Sequence, residues 1–163
     1  FMSITGVRVG QGFDIHRFSD DPKRPLVLGG VTFEGVRGLE GHSDADAIAH
    51  ACADALLGAA GLGDIGQHYP DTDPAWKGAD SLAILRDVAS KLSVLGWRIS
   101  NVDCSVVCEE PRIAPHRDAM IALLSAAAGA PISVKGRRAE GLGSIGRGEG
   151  IACFASALIM KES

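Results

Sequence analysis

Glycine is abundant in this chain and aromatic side chains are scarce, and this combination restricts the core that the chain can build. Of the 163 residues 21 are glycine, whereas the aromatic residues are five Phe, two Trp and one Tyr. A core of this composition has to be assembled mostly from Ala, Val, Leu and Ile. We therefore expect many tight turns and many places where backbone segments approach each other closely.

Charge and cysteine usage exclude several classes of protein. There are 16 Lys and Arg against 20 Asp and Glu, which gives a net charge of −4, whereas unspecific nucleic-acid or membrane-surface binding requires a basic excess. No apolar run reaches the ~18–20 residues of a membrane span, and no signal peptide precedes the first predicted strand. The cysteines stand in apolar stretches without a C-x-x-C pair, which is typical of reduced core thiols in a cytoplasmic protein: Cys52, Cys104, Cys108 and Cys153.

The first half of the chain predicts two strand regions and a helix. A period of two over residues 7–16 predicts a strand, and residues 26–33 form a second strand region with a bulge or turn at Gly29-Gly30. Ser43 and Asp46 predict a helix start through a capping box. Apolar residues follow at helical spacing and predict the buried stripe of that helix: Ile48, Ala51, Cys52, Ala55, Leu56 and Ala59.

The second half alternates strands and helices around two loops. Residues 64–74 are polar with two prolines and predict a loop, and a helix capped by Asp80 or Ser81 follows. The remaining elements are expected to be a strand over 97–108, a helix from Pro115 to Gly129, a short strand over 132–135, a glycine-rich loop and a strand over 151–160. Without an internal repeat or a linker, this order predicts one α+β domain over residues 2–163.

Asp14 and His16 are candidate metal ligands. Residues i and i+2 of a strand point to the same face, so this carboxylate and this imidazole converge. His50 on the first predicted helix is the obvious third ligand for a zinc ion, and Asp46 and Asp54 lie one turn away from it, where they are expected to orient its second ring nitrogen. The alternative is a pair at the end of a strand that makes only local hydrogen bonds.

Other polar clusters each allow more than one interpretation. His42 and Ser43 suit an anion site at a helix start or ordinary capping, and the aspartates of the 64–74 loop suit ligand hydroxyls, a hard cation or turns. Arg137-Arg138 suits phosphate oxygens or solvent. Arg147 and Glu149 either face a symmetry axis together or pair at the surface.

The order of these segments resembles the 2-C-methyl-D-erythritol 2,4-cyclodiphosphate synthase family. The resemblance covers nearly the whole chain, and several of its motifs are long and specific: Arg8-Val-Gly-Gln-Gly-Phe-Asp-Ile-His16, Gly41-His-Ser-Asp-Ala-Asp46, Gly63-Asp-Ile-Gly66, Tyr69-Pro-Asp-Thr-Asp-Pro74, Lys77-Gly-Ala-Asp-Ser81 and Gly146-Arg-Gly-Glu-Gly-Ile-Ala152.

The resemblance implies a fold, an assembly and a reaction. It implies a mixed sheet with helices packed on one face, and a homotrimer whose active sites lie between subunits. The implied substrate is 4-diphosphocytidyl-2-C-methyl-D-erythritol 2-phosphate, whose 2-phosphate attacks the β-phosphorus, closes a cyclic diphosphate and expels CMP. Zinc on Asp14, His16 and His50 and a Mg²⁺ or Mn²⁺ ion near Glu140 would offset the repulsion between the two anionic groups.

The resemblance also assigns residues to the site. It makes His42 and Arg138 catalytic, with Ser43 beside His42 at the phosphate. The residues implied to bind substrate are Ser43, Asp64, Ile65, Gly66, Tyr69, Pro70, Asp71, Thr72, Asp73, Cys108, Glu109, Glu110, Pro111, Arg112, Ile113, Ala114, Arg137, Ala139, Ser144 and Arg147.

The chain departs from the family pattern in three places. Arg138 stands where the family has a threonine that acts on the transition state, and an arginine there either supplies stronger charge stabilisation or points elsewhere. Ser144 replaces an aromatic residue of an axial cavity in the trimer. Arg112 replaces a lysine and keeps its charge.

Three alternatives to the cyclisation remain at this stage. The first is a binding protein for CDP-like ligands on the same scaffold, and the second is a metal-dependent phosphohydrolase with water as nucleophile. The third is an inert protein with a structural zinc ion, which predicts that replacing His50 unfolds the chain.

Overall fold

The computed structural model describes residues 6–161 and contains six strands and five helices in that range. The strands are β1 (Val7–Arg17), β2 (Leu26–Leu28), β3 (Val31–Phe33), β4 (Arg98–Val107), β5 (Ile132–Arg137) and β6 (Gly150–Met160). The helices are α1 (Ala47–Ala59), α2 (Ile65–His68), α3 (Ser81–Val94), α4 (Arg117–Ala128) and α5 (Gly143–Gly146), with 3₁₀ turns at Pro74–Trp76 and Ala114–His116.

The main sheet is mixed, which confirms the predicted α+β class. Its strand order is β1-β6-β4-β5, in which β6 runs antiparallel to both neighbours and β4 pairs with β5 in parallel. Strands β2 and β3 form a separate antiparallel hairpin, and Gly29-Gly30 make its turn with positive φ. No helix in the described range is long and apolar enough to cross a membrane.

Helix α1 lies unusually close to β1 because two glycines of the strand face it. A Cβ on Gly10 would lie 1.9 Å from the carbonyl oxygen of Ala55, and a Cβ on Gly12 would lie 1.9 Å from that of Ala51. The alanines on the facing side of α1 complete this contact between small residues. The close approach of backbone segments that the composition predicts therefore occurs between α1 and β1.

The opposite face of the sheet carries exposed apolar side chains. Val9 is 73% exposed, and Phe13 and Phe154 pair across β1 and β6 with ring centroids 5.0 Å apart while each remains nearly half exposed. Ile15 continues the row at 49% exposure. Exposed apolar patches of this kind mark interaction surfaces.

Three predictions about local structure are wrong, and one of them is the all-loop prediction for the glycine-rich segment, in which Gly143–Gly146 form the short helix α5. Ser43 does not cap α1, because Ala45 adopts a left-handed φ of 57° and the helix begins only after Asp46, whose side chain accepts from the N–H of Ala49. The 64–74 segment is not all loop, because Asp64 and Gln67 form a capping box that supports the short helix α2.

Candidate metal centre and adjoining pockets

The alternation of β1 places Asp14 and His16 on the side of the sheet that faces α1. Gly10 and Gly12 share this side, and their contacts with α1 bring His50 down to the level of Asp14. The predicted convergence of the three side chains is confirmed. Their ligand atoms all lie within 4.8 Å of one another.

Asp14 lies between the two imidazoles. Its Oδ2 is 2.8 Å from Nε2 of His16 and 3.2 Å from Nδ1 of His50. The three side chains are 22%, 18% and 11% exposed for Asp14, His16 and His50, so the cluster is largely shielded but reachable from one side.

The tautomer of His16 leaves a lone pair in the cluster. Nδ1 lies 2.6 Å from the carbonyl oxygen of Glu40, which can only accept, so Nδ1 carries the proton. Nε2 is then an acceptor, and this buried atom has no hydrogen-bond partner although Asp14 Oδ2 is close. Gly41 permits this position of the ring, because a Cβ there would lie 3.1 Å from Cε1 of His16.

His50 turns its other nitrogen away from the cluster. Nε2 lies 2.7 Å from Oγ of Ser81 and 3.1 Å from Oγ of Ser43. Two nitrogens and a carboxylate oxygen therefore converge as a facial set, which is the donor set that zinc prefers with an open position. The residues present fit such an ion.

The carboxylates predicted to orient His50 accept hydrogen bonds from backbone N–H groups instead. Asp46 is fully buried and accepts from the N–H groups of Gly29, Gly30 and Ala49, and Asp54 accepts from the N–H of Ile65. That prediction is wrong, because both side chains satisfy backbone donors outside the metal cluster.

The electrostatics of the cluster favour an anionic Asp14. Burial raises its pKa, but the close contacts with the rings of His16 and His50, and their positive charge when they are protonated, outweigh burial and lower the pKa of Asp14 to about 2. For His16, burial lowers the pKa, but the interaction with Asp14 outweighs it and the net pKa is raised. A carboxylate that is always ionised at neutral pH suits a cation site.

A cleft opens beside the cluster and collects part of the predicted substrate site. His42 Nε2 lies 3.2 Å from the carbonyl oxygen of Asp73, which ties the His42 loop to the 69–73 segment. Pro70 and Thr72 belong to the same segment but are not among the residues that line the cleft. The lining residues in the described range are Asp14, His16, Gly41, His42, Ser43, His50, Ile65, Gly66, Tyr69, Asp71, Trp76 and Ile84.

Several side chains of this segment already have partners. The carboxylate of Asp64 caps α2, and that of Asp73 accepts from the N–H of Ala75. The hydroxyl of Tyr69 donates to Asp87, while its ring packs edge-on against Trp76 at 4.8 Å. Asp71 and the backbone of α2 are left to meet a ligand.

A second pocket lies where β4 and β5 end. It gathers most of the residues between Cys108 and Ala139 that the resemblance implies to bind substrate, whereas Glu110 and Ala139 are not among its lining. Gly136 and Arg117 line it without having been predicted. The lining residues are Cys108, Glu109, Pro111, Arg112, Ile113, Ala114, Arg117, Gly136, Arg137 and Arg138.

Glu109 organises the rim of this second pocket. Its Oε2 accepts from Nε and Nη2 of Arg138 at 2.9 and 2.7 Å, and its Oε1 accepts from the N–H groups of Ala139 and Gly141. The contact with Arg138 and these backbone donors lower the pKa of Glu109. The two backbone donors flank Glu140, which adopts a left-handed φ of 55°. Glu109 therefore fixes both Arg138 and the turn that carries Glu140.

The glycine-rich segment contributes a third concave surface. Ser144 lines a groove beside the end of β1. Arg147 donates to Glu149 at 2.7 Å, so these two residues pair within the chain.

The comparisons with known proteins agree with this arrangement. The YgbB family matches residues 7–160. A 2-C-methyl-D-erythritol 2,4-cyclodiphosphate synthase of Bordetella petrii is 52% identical over 96% of this chain and 97% of its own length. A bifunctional IspD/IspF enzyme of Anaeromyxobacter dehalogenans is 53% identical, and the match covers 96% of this chain and 41% of that enzyme.

Solved structures give the same result. The bifunctional IspDF of Campylobacter jejuni superposes with a TM-score of 0.90 at 39% identity, over 96% of this chain and 43% of that chain. The CDP complex of Plasmodium falciparum IspF superposes with a TM-score of 0.84 at 35% identity, over 99% of this chain and all of that chain. With a family match over almost its full length and relatives above 50% identity, the chain belongs to the YgbB family.

Proposed function

We propose that the chain converts 4-diphosphocytidyl-2-C-methyl-D-erythritol 2-phosphate into 2-C-methyl-D-erythritol 2,4-cyclodiphosphate and CMP, as a phosphorus–oxygen lyase of non-mevalonate isoprenoid synthesis. The observation that carries the proposal is the set of three acceptor atoms on Asp14, His16 and His50, open to a cleft, in a chain of this family. The names of its relatives support the same reaction.

Asp14, His16 and His50 would hold a zinc ion. When bound, the ion supplies positive charge at the diphosphate and polarises the phosphoryl group under attack. The chain itself fixes the ligand directions beforehand, through the Glu40 carbonyl on His16 and the serine hydroxyls on His50.

Neighbouring residues orient the methylerythritol phosphate. Ser43 and His42 stand at the cleft next to the cluster, where a hydroxyl and an imidazole can donate to phosphate oxygens. Gly66, Tyr69 and Asp71 line the same cleft and would meet the hydroxyls of the sugar and the erythritol.

The second pocket would take the cytidine diphosphate end. Cys108 to Ala114 offer backbone groups for the base, and Arg112 with Arg137 offers charge for the phosphates. Glu140 would hold Mg²⁺ or Mn²⁺ with the substrate diphosphate. The solved structure of the Plasmodium falciparum relative in complex with CDP supports a cytidine ligand.

The bond changes of the reaction balance within one substrate. An oxygen of the 2-phosphate forms a bond to the β-phosphorus, and the bond from that phosphorus to the oxygen bridging to the α-phosphate breaks, so CMP leaves with the electron pair. Holding both ends of the substrate makes the attack intramolecular, which removes ~7–11 kcal/mol of barrier in favourable cases.

Arg138 is proposed to stabilise charge on the transferring phosphoryl group. Glu109 holds Nε and Nη2, and the structure gives Nη1 no partner among the described residues, so the two N–H bonds of Nη1 on a fixed guanidinium remain available. A positioned donor of this type stabilises charge that develops in the transition state.

A homotrimer is proposed for the assembly. The row of exposed apolar side chains on β1 and β6 needs a partner surface, and a neighbouring subunit supplies one of the same composition. The metal cleft of one subunit would then face the cytidine pocket of the next, with Ser144 and Arg147 near the contact.

A cytoplasmic location is proposed because the cysteines are not paired in disulfides. All four cysteines are free and buried, which fits a reducing compartment.

The test is incubation of the purified zinc-loaded chain with the substrate and Mg²⁺, after which the products are separated by chromatography. The mass of the protein in solution is measured separately by light scattering. We expect CMP and the cyclic diphosphate in equal amounts and a mass three times that of the chain. Binding without release of CMP would indicate a CDP-binding protein, and a linear phosphate product would indicate a phosphohydrolase; either result overturns the proposal.

A further inference from the structure

The orientation of His50 depends on two residues that do not touch the metal position. We propose that Asp44 and Ser81 are positioning residues that hold His50 in the tautomer whose Nδ1 lone pair faces Asp14. This inference rests on the proposed metal centre and adds to it the device that prepares one of its ligands.

The direction of the hydrogen bonds follows from the donors available. The Ser81 hydroxyl has one proton, and it donates that proton to Oδ1 of Asp44. Towards His50 the same oxygen can therefore only accept, and Nε2 lies 2.7 Å away. Nε2 must carry the ring proton.

The ring then has its lone pair where a cation needs it. In a neutral imidazole with the proton on Nε2, the free lone pair is at Nδ1. This atom lies 3.2 Å from Oδ2 of Asp14, inside the cluster that also contains His16. In the neutral ring, which is the form that binds a cation, the chain Asp44–Ser81–His50 thus presents a ligand atom rather than an N–H group at Nδ1.

Backbone N–H groups hold the carboxylate of Asp44 as an acceptor, so the direction of the hydrogen bond from Ser81 is fixed. Its Oδ2 accepts from the N–H of Ser81 at 3.0 Å, and its Oδ1 also accepts from the N–H of Asp46 at 3.0 Å. An ionised carboxylate only accepts. Ser81 is fully buried, so no solvent molecule competes for its proton.

The hydroxyl of Ser43 does not replace this control. It lies 3.1 Å from Nε2 of His50 and is free to donate or to accept there. Without Asp44, both serines are able to donate to Nε2. The ring would then carry its proton on Nδ1, directed at Asp14, and the ligand lone pair would be lost from the cluster.

Three variants separate positioning from plain structural support. Asp44→Ala removes the acceptor that orients the hydroxyl, and Ser81→Ala removes the hydroxyl but keeps the backbone N–H that Asp44 accepts. The matched control is Asp80→Ala, because Asp80 caps the same helix through the N–H of Leu82 at 2.9 Å and is exposed.

Two readouts are measured at one fixed pH. Zinc affinity is measured by chelator competition, and the protonated ring nitrogen of His50 is identified by NMR of metal-free protein labelled with ¹⁵N-histidine; only five histidines need assignment. We expect the zinc dissociation constant to rise about 10–100-fold in Asp44→Ala and Ser81→Ala and to stay within about threefold of the parent in Asp80→Ala. We expect the proton on Nε2 in the parent and a shift toward Nδ1 in Asp44→Ala.

The outcomes distinguish this inference from the proposed function. If the parent binds zinc and Asp44→Ala keeps both the affinity and the tautomer, the positioning role is wrong and the metal centre stands. Equal loss of affinity in Asp80→Ala also overturns it, because the effect would then be a loss of helix capping. If the parent binds no zinc yet shows the proton on Nε2, the metal proposal fails while the tautomer control stands. If Asp44→Ala does not fold, Ser81→Ala with its preserved backbone contact decides alone.

Discussion

The metal centre and the cytidine pocket fix their charged groups in opposite ways. Asp14, His16 and His50 are each less than a quarter exposed, and a further contact from behind fixes each histidine. Arg138 is 71% exposed and is held by one carboxylate. The metal centre is therefore rigid because it is buried, whereas the rim of the cytidine pocket is rigid only as long as Glu109 holds Arg138. Substitutions in the metal centre should therefore abolish activity, whereas substitutions in the cytidine pocket should lower activity by different amounts.

The largest effect is expected from His50→Ala. Loss of one of three ligands should remove zinc from the protein and lower CMP release by more than about 100-fold, while the fold persists. Metal analysis, circular dichroism and a CMP assay check this. His68→Ala is the control, because Nε2 of His68 hydrogen-bonds to the carbonyl oxygen of Leu62, away from the cluster. Unfolding of His50→Ala would instead indicate a structural zinc ion.

The next largest effect is expected at the pair Arg138 and Glu109. Arg138→Ala should lower kcat about 100-fold because it removes a positioned donor. Arg138→Thr should lose less, since the family pattern has a threonine there. Glu109→Gln, which keeps one acceptor but loses the charge, should fall between the two at about tenfold. Steady-state kinetics at saturating Mg²⁺ check the order, and a full loss in Arg138→Thr would contradict it.

The close contact between α1 and β1, which positions the metal centre, can be tested by measuring the stability of the protein. Gly12→Ala should destabilise the protein by on the order of 3 kcal/mol, because the new Cβ collides with the carbonyl of Ala51 and pushes α1 away from β1. Gly58→Ala is its counterpart in the same helix. A Cβ there meets nothing closer than 3.5 Å, so it should gain about 0.5–1 kcal/mol. Urea unfolding measures both, and equal signs would contradict the proposed close packing.

The smallest effect concerns pH and Asp46. Burial raises the pKa of Asp46 from 3.8 to about 6, against the lowering by three backbone N–H donors. Between about pH 4 and 6 the folded protein thus holds a proton that the unfolded chain has lost, and stability falls as the pH rises. Asp46→Asn removes this dependence, although its amide nitrogen cannot accept the backbone N–H that one oxygen of Asp46 accepts. The stability of the variant relative to the parent should therefore increase steadily as the pH rises across that range. Urea unfolding at several pH values measures the difference, and a constant difference would show that Asp46 is ionised throughout.

The sequence allowed prediction where the signal was local. The alternation of β1 placed Asp14 and His16 on one face, and the spacing of α1 identified its buried side, because both are properties of consecutive residues. The start of α1 was missed because a single left-handed residue, Ala45, interrupts the chain after Ser43. The residue types in that segment do not predict a left-handed conformation at Ala45.

The contacts behind the histidines could not be predicted for a different reason. Asp44 and Ser81 are 37 residues apart and meet only once α3 has packed against α1. The carbonyl of Glu40 carries no side-chain signal at all. The Lys77–Ser81 motif was visible as part of the family resemblance, but its role required the fold.

The uncovered sheet face has a consequence for handling the protein. Phe13 and Phe154 lie side by side and half exposed on an isolated chain, so in the proposed trimer dilution below the dissociation constant of the assembly would expose this apolar surface on every molecule. Purification yield and shelf life should consequently improve with concentration, the reverse of what is usual for sticky proteins.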